Sequence, residues 1–322
     1  MLKKLSIRKI SLASAALFAI LLIYLLPSNK EKLDIKTELE YIDTSAVNTS
    51  IFLLDKNSYV ALTEVPLSSN QIEAKAKELI SILTIGDSDS KIPSGFNAII
   101  PPDTRVLSLE YNDNLIKIDF SKELLDIDIN LEEKMIEAIV FTLTSIEGVD
   151  KIIIYVEGDI LTKLPKTKIN LPSTLDRSLG INKEYEFNSL ENLTDVTVYY
   201  VNQINHNYYY VPVTKYLNDD REKISIIIDE LAVGFNHNER LMSFLNTDVR
   251  LVSSNIKDKT INLEFNAFIF DDVTTKEVLE EVIYTICLSA RENYDVEEVV
   301  MMVDSKEIYK TNLKSIEPKG KV

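Results

Sequence analysis

The chain has 322 residues, 35 Lys and Arg against 51 Asp and Glu, and a formal charge of −16, a length suited to two domains of ordinary size. With 45% apolar and 27% charged residues it can bury a core, while its acidity argues against duplex nucleic acid, whose binding displaces counterions with basic surface. A single cysteine (Cys287), two histidines and seven glycines leave no material for an intrachain disulfide, a zinc–cysteine site, multi-His chemistry or a glycine-rich phosphate loop, and no cofactor is implied.

In chain order, the first feature is the uncharged run ISLASAALFAILLIYLL at 10–26. Lys3, Lys4, Arg8 and Lys9 precede it with no acid among residues 1–28, so a local +4 leaves −20 on the rest. A run of 17 is near the lower limit for spanning a bilayer. A cleaved signal peptide would have a shorter apolar region and a small-x-small cleavage site, whereas this run ends in Tyr24-Leu25-Leu26-Pro27. The expectation is a cytoplasmic basic stub at 1–9 and a single-pass membrane anchor at 10–27, with a polar tether at 28–49 and everything beyond it extracytoplasmic.

The remainder repeats one plan. A first domain is expected at 50–160, a linker at 161–195, a second domain at 196–306 and a polar tail at 307–322. Each domain opens with two apolar stretches around a polar turn, IFLLDKNSYVALTEVP (51–66) and VTVYYVNQINHNYYYVPV (196–213), which predict hairpins. A helix follows in each. Ile72, Ala76, Leu79, Ile80 and Leu83 make one apolar stripe, and Ile224, Ile227, Ile228, Leu231 and Ala232 the other. Ser68 with Gln71, and Asp219 with Glu222, are the expected caps, and Gly86 and Gly234 the expected left-handed stops. Second hairpins come next, with Ile116, Ile118 and Phe120, or Ile261, Leu263 and Phe265, alternating with polar residues. The second helices carry Leu131, Met135, Ala138, Ile139, Thr142, Leu143 and Ile146, and Leu279, Val282, Ile283, Ile286 and Ala290. Asn130 with Glu133, and Thr274 with Glu277, fit as their caps, and apolar strands at 152–156 and 299–303 close the units. Each unit therefore reads β-β-α-β-β-α-β, and its helices must cover a sheet, giving an α+β fold of two tandem two-layer sandwiches.

This order resembles the GerM domain family, associated with sporulation and spore germination in endospore-forming bacteria. The tyrosine-rich VYYV…YYVPV opening of the second unit, weaker at 59–66, carries the resemblance first. With it go helices ending Leu83-Thr84-Ile85-Gly86 and Leu231-Ala232-Val233-Gly234, and IKIDFS (116–121), altered to INLEFN (261–266). EAIVFTL (137–143) against EVIYTI (281–286), and IIIYVEG (152–158) against VVMMVDS (299–305), complete the pattern. Members often look like lipoproteins, while this chain has no amino-terminal cysteine, and Ser305 and Glu264 stand where the first unit has Gly158 and Asp119. The resemblance implies a fold similar to ring-building modules of the channel between mother cell and forespore. It brings no catalytic residue.

Asp119 and Glu264 are the evident carboxylate pair. Acid–base hydrolysis needs two carboxylates about 5–9.5 Å apart, but these occupy equivalent places in separate repeats, pointing off the apolar face as solvated edge groups do. Thr142 and Thr285 fall in apolar helix stripes, where a hydroxyl bonds the carbonyl one turn back, and no base stands near to make either a nucleophile. Cys287 reads as a small core residue. His206 and His237 are too far apart for a metal site, and Asp87, Asp89, Asp271 and Asp272 lack EF-hand spacing. Tyr199, Tyr200, Tyr208, Tyr209 and Tyr210 form the densest aromatic cluster. Because consecutive strand residues alternate faces, some of Tyr208–Tyr210 are expected to face a partner or a glycan. The reading is a non-enzymatic membrane-anchored assembly factor with extracytoplasmic protein partners and a capacity for self-association. The alternatives are a peptidoglycan-binding module and a hydrolase using acidic residues.

Overall fold

The first repeat runs β1 (Val47–Asp55), β2 (Val60–Leu67), α1 (Ile72–Leu83), β3 (Phe96–Asn97), β4 (Val106–Asn112), β5 (Leu115–Phe120), α2 (Glu132–Leu143), β6 (Lys151–Val156) and β7 (Asp159–Ile160). A linker carrying the short β8 (Glu184–Glu186) leads to the second. That repeat runs β9 (Leu193–Ile204), β10 (Asn207–Asn218), α3 (Lys223–Val233), β11 (Leu251–Lys257), β12 (Thr260–Phe265), α4 (Glu280–Asn293), β13 (Glu298–Val303) and β14 (Lys306–Asn312). The structure, a computed structural model, describes residues 47–234, 240–272 and 274–312, all within one compact unit, residues 45–322. The expected anchor at 10–27 lies outside the described residues, as does His237; among those described, no helix is long and apolar enough to cross a membrane.

Turn chemistry sets the hairpins. Asp113-Asn114, Glu157-Gly158, Asn205-His206, Asp258-Lys259 and Asp304-Ser305 each form a two-residue connection with positive φ at both positions. This is the type I′ turn, whose twist matches that of paired strands. Two of these turns add strands the periodicity does not announce. Lys306–Asn312, expected beyond Lys306 as tail, pairs with β13, and Asp159–Ile160, expected at the domain margin, pairs with β6.

The helices fall where their stripes place them, but none of the four predicted side-chain caps forms. At α1 the Glu78 carboxylate takes the Ser68 and Ser69 N–H groups instead, reaching back from within the helix. At α3 Asp219 is held by Arg221, and Thr274 and Glu277 precede the start of α4. Gly234 does end α3, at φ +77 and ψ 176, with its N–H on the Glu230 carbonyl; that backbone region is open essentially to glycine. Gly86 lies beyond the extended Thr84 that caps α1.

The strands of each repeat do not form one sheet. β4-β5-β6-β7 and β11-β12-β13-β14 are separate four-stranded sheets, each with a parallel central pair bridged by α2 or α4. The two opening hairpins join instead into a shared six-stranded sheet, β3-β1-β2-β10 with β9 and β8 both on β10. Helix α2 packs against β1 and β2 of the shared sheet and β6 of its own sheet. It is consequently buried nearly all round, down to Glu132 and Glu137.

Candidate functional site

The seam between the repeats concentrates the buried polar groups. β2 and β10 meet antiparallel at Leu62 and Tyr210. The ladder cannot continue toward Val60, because Pro212 presents no N–H on that edge. Asn182 of the linker fills the gap. Its Oδ1 accepts from Val60 N–H at 2.9 Å, and its Nδ2 donates to the Val60 and Pro212 carbonyls at 2.8 Å each. One side-chain amide thus replaces a peptide group between two strands. Past it, Ile181 exchanges hydrogen bonds with Thr214, and β8 pairs with Lys215–Leu217 in parallel.

Asp55 ties the other side of the seam. Its Oδ1 holds the β1–β2 turn, and its Oδ2 accepts from Tyr209 Oη–H at 2.7 Å and Asn202 Nδ2 at 3.2 Å, both from the second repeat. The carboxylate is buried and has a donor on each of its lone-pair sites.

Two charged clusters flank this line. Arg177 of the linker donates to the Phe141 carbonyl, Thr144 Oγ1 and Ser145 Oγ at the carboxyl end of α2, and to Glu292 Oε2 of α4 at 2.6 Å. Its guanidinium also lies 4.9 Å from the Phe141 ring centre and 5.5 Å from that of Phe52. Glu292 Oε2 further accepts from Tyr199 Oη–H, while its Oε1 has no hydrogen-bond partner among the described residues. At the second cluster, Lys183 lies 3.3 Å from Glu137 and 2.7 Å from Glu133, and Glu137 Oε2 accepts the Asn182 N–H at 2.9 Å. Burial pushes the Glu137 carboxyl up to about 7 despite the pull of Lys183, and the carboxylates keep Lys183 above its ordinary value against its own burial.

The tyrosine cluster is not the surface the alternation argument anticipates. Tyr199, Tyr200, Tyr209 and Tyr210 are buried and Tyr208 is half-buried. The shared sheet is covered on both faces around β9 and β10, so opposite-pointing side chains both meet protein. Tyr200 hydrogen-bonds Glu230 of α3, Tyr210 packs on Tyr284 of α4 at 5.5 Å between ring centres, and Tyr208 packs on Phe244. Tyr208 and Tyr209 line the rim of a cleft of about 510 Å³ shared with Leu62, Glu64 and Pro66. An exposed aromatic group does exist, at Tyr185 stacked on Tyr216, where the irregular linker offered no periodic signal.

The signature residues have local structural partners. Asp119 Oδ1 accepts the Gly158 N–H at 3.1 Å, and Glu264 Oε1 the Ser305 N–H at 2.9 Å. Each carboxylate braces the type I′ turn that follows the neighbouring parallel strand, and the altered pairs make the same contact. Thr142 is reassigned: its Oγ1 accepts the Phe52 N–H of β1 at 3.0 Å instead of simply turning back on its helix. Its counterpart is Ser289, which accepts the Tyr199 N–H at 2.9 Å, whereas Thr285 bonds the Val282 carbonyl. The connection from β12 to α4 is three residues longer than that from β5 to α2, and matching the helix letters to Thr285 places the equivalence one turn too early. Cys287 is buried, and burial pushes its thiol up to about 12, so it stays protonated at neutral pH. His206 sits exposed in the β9–β10 turn at φ +69. Asp89 receives the Gly86 N–H and Asp272 the Thr274 N–H; among the described residues no three His, Cys, Asp or Glu converge as a metal site.

A family model described as Germane, sporulation and spore germination, matches residues 50–162 and 197–309, both repeats and most of the chain. The chain belongs to the Germane family. Spore germination protein GerM of Bacillus subtilis (strain 168) is 35% identical over 284 residues, which cover 84% of this chain and 77% of that one. A solved structure of the tandem GerMN domains of the sporulation protein GerM from Bacillus subtilis superposes with a TM-score of 0.75 at 33% identity, covering 81% of this chain and 92% of that one. The seam therefore lies between two Germane repeats, and the Asn182, Asp55 and Arg177 contacts are what this chain uses to fuse them.

Proposed function

We propose that this protein is a non-enzymatic assembly factor of sporulation or spore germination, anchored through residues 10–27 with its Germane repeats outside the cytoplasm. It acts through contacts with other extracytoplasmic proteins. Membership of both repeats in the Germane family, with the likeness to GerM over 84% of this chain, carries the sporulation reading. The hydrophobic, basic-flanked amino terminus supports the anchor. The non-enzymatic reading draws support from the turn-bracing of Asp119 and Glu264 and the buried, protonated Cys287, which leave those groups to structure.

Fluorescent fusions followed through sporulation test this. Signal concentrating at the membranes around the developing spore is expected; uniform signal in vegetative membranes overturns it. Cross-linking in sporulating cells should then recover an envelope partner, and recovery of the bait alone counts against assembly. Of the tyrosines on which the wall-binding alternative rests, Tyr199 and Tyr200 have no exposed surface, which counts against stacking on a glycan there.

A further inference from the structure

We propose that the linker segment 181–186 is a proton-responsive clasp, whose docking between the two repeats tightens when Glu137 is protonated and loosens when it ionises. The inference stands apart from the sporulation reading and rests on where Glu137 lies. Its carboxylate is 2% exposed on α2 of the first repeat. It takes the backbone N–H of Asn182, the residue whose side chain spans Val60 of the first repeat and Pro212 of the second. The same carboxylate therefore touches the one residue that substitutes for a β-ladder across the seam. A change of charge there acts on the seam without any intervening element.

The groups facing Glu137 come from every element around it. Glu133 and Lys134 share its helix, Lys183 and Tyr185 come from the linker and β8, and Tyr216 from β10. Lys183 divides its ammonium between Glu133 at 2.7 Å and Glu137 at 3.3 Å, so the more exposed carboxylate holds the closer contact. Lys134 donates its hydrogen bond to the Ser58 carbonyl and lies over the Tyr59 ring, and acts on Glu137 through its charge. Ionised Glu137 is thus left buried with a shared cation, an arrangement whose desolvation cost its single longer ion pair does not offset. Protonated, the group keeps its acceptor oxygen for Asn182 and sheds that cost. Burial accordingly holds Glu137 up to about 7, while a linker opened to water would return it to the ordinary 4.5.

Linkage then sets the size of the response. Opening that exposes Glu137 becomes about tenfold more favourable between pH 6 and pH 8, because the open form is already ionised throughout that window while the closed form keeps its proton until its midpoint. Amide hydrogen exchange of the full chain, corrected for the intrinsic pH dependence of exchange, reads this directly on peptides covering 58–62 and 180–186. The expected result is a loss of protection of about tenfold from pH 6 to pH 8 in the wild type and a flat profile in Glu137→Gln. Equal slopes in the two chains, or no excess slope in the wild type, overturn the proposal. Should Glu137→Gln not fold, the wild-type carboxyl can be followed by carbon NMR. A midpoint near 7 accompanied by shifts at Asn182 and Val60 supports the clasp, and a midpoint in the ordinary glutamate range refutes it.

Discussion

Asp55 shows what a single side chain contributes across the seam. Removing it in Asp55→Ala leaves two turn N–H groups, the Tyr209 hydroxyl and the Asn202 amide without their acceptor. Buried donors left unpaired cost roughly 1–3 kcal/mol each where water does not reach them, so a loss of about 3 kcal/mol in urea unfolding is expected. Tyr209→Phe, which spares the other three bonds, should cost about 1 kcal/mol. If the two variants unfold at the same midpoint, the hydroxyl bond is the only contact of Asp55 that matters. Thr142→Val removes the acceptor of the buried Phe52 N–H, and should cost about 2 kcal/mol. Cys287 tests burial from another direction: the native chain should resist thiol reagents at pH 8 and react at once in denaturant, since its thiol is held up at about 12. Fast reaction of the folded protein would contradict that placement.

At the scale of elements, the seam depends on one amide where a strand pair would ordinarily supply its own. Asn182→Ala removes three hydrogen bonds and leaves Val60 N–H and the Pro212 carbonyl unpaired. A cost of about 2–4 kcal/mol is expected, with the lost exchange protection localised to β2 and β8. Loss spread evenly over both repeats would mean that the linker, rather than the strand junction, carries the effect. The legible and illegible parts of the fold separate here for physical reasons. Helix stripes and alternating strands announce themselves because burial imposes a period on neighbouring residues. Ile116, Ile118 and Phe120 are buried as that period requires. The seam has no period: Asn182 and Pro212 are distant in sequence and coupled only by the gap that proline creates. The tyrosines misled for a related reason. Alternation tells which residues share a face, but whether the opposite face is wet depends on helices packed from elsewhere in the chain. β7 and β14 were hidden by turns, Glu157-Gly158 and Asp304-Ser305, that lack the usual Asn-Gly signature.

For the whole molecule, the shared sheet makes the repeats one thermodynamic unit. A single unfolding transition is expected by calorimetry, and Arg177→Ala should separate it into two. The substitution strands Glu292, whose side chain is 3% exposed, and a buried carboxylate deprived of its cation costs about 3–5 kcal/mol. Arg177→Lys should not restore the single transition, since one ammonium cannot reach Glu292, Thr144, Ser145 and the Phe141 carbonyl together. A single transition retained in Arg177→Ala would show that Asn182 and Asp55 suffice. The buried tyrosines add an alkaline limit. Burial first, and neighbouring carboxylates second, hold Tyr199, Tyr200, Tyr209 and Tyr210 above the ordinary value of 10. The unfolded chain therefore loses these protons before the folded one does. Their contribution to stability is complete below pH 10 and falls as pH rises above it. Cooperative unfolding should thus accompany the rise of tyrosinate absorbance, and a smooth titration of all tyrosines in the native state would contradict it.

The strands that meet at the seam, β2 and β10, are equivalent strands of the two repeats, and they meet antiparallel. Contact between like edges in opposite directions is isologous, and it closes on itself as a twofold dimer does. Each repeat has spent its second strand on the other. Phe52 N–H of β1 and Tyr199 N–H of β9, on the sides of those strands away from the junction, are likewise already taken by helix hydroxyls. The shared sheet is consequently a finished object of two repeats, to which no third can be added through the same edge. An array built by strand addition would have to use an edge other than the β2–β10 junction.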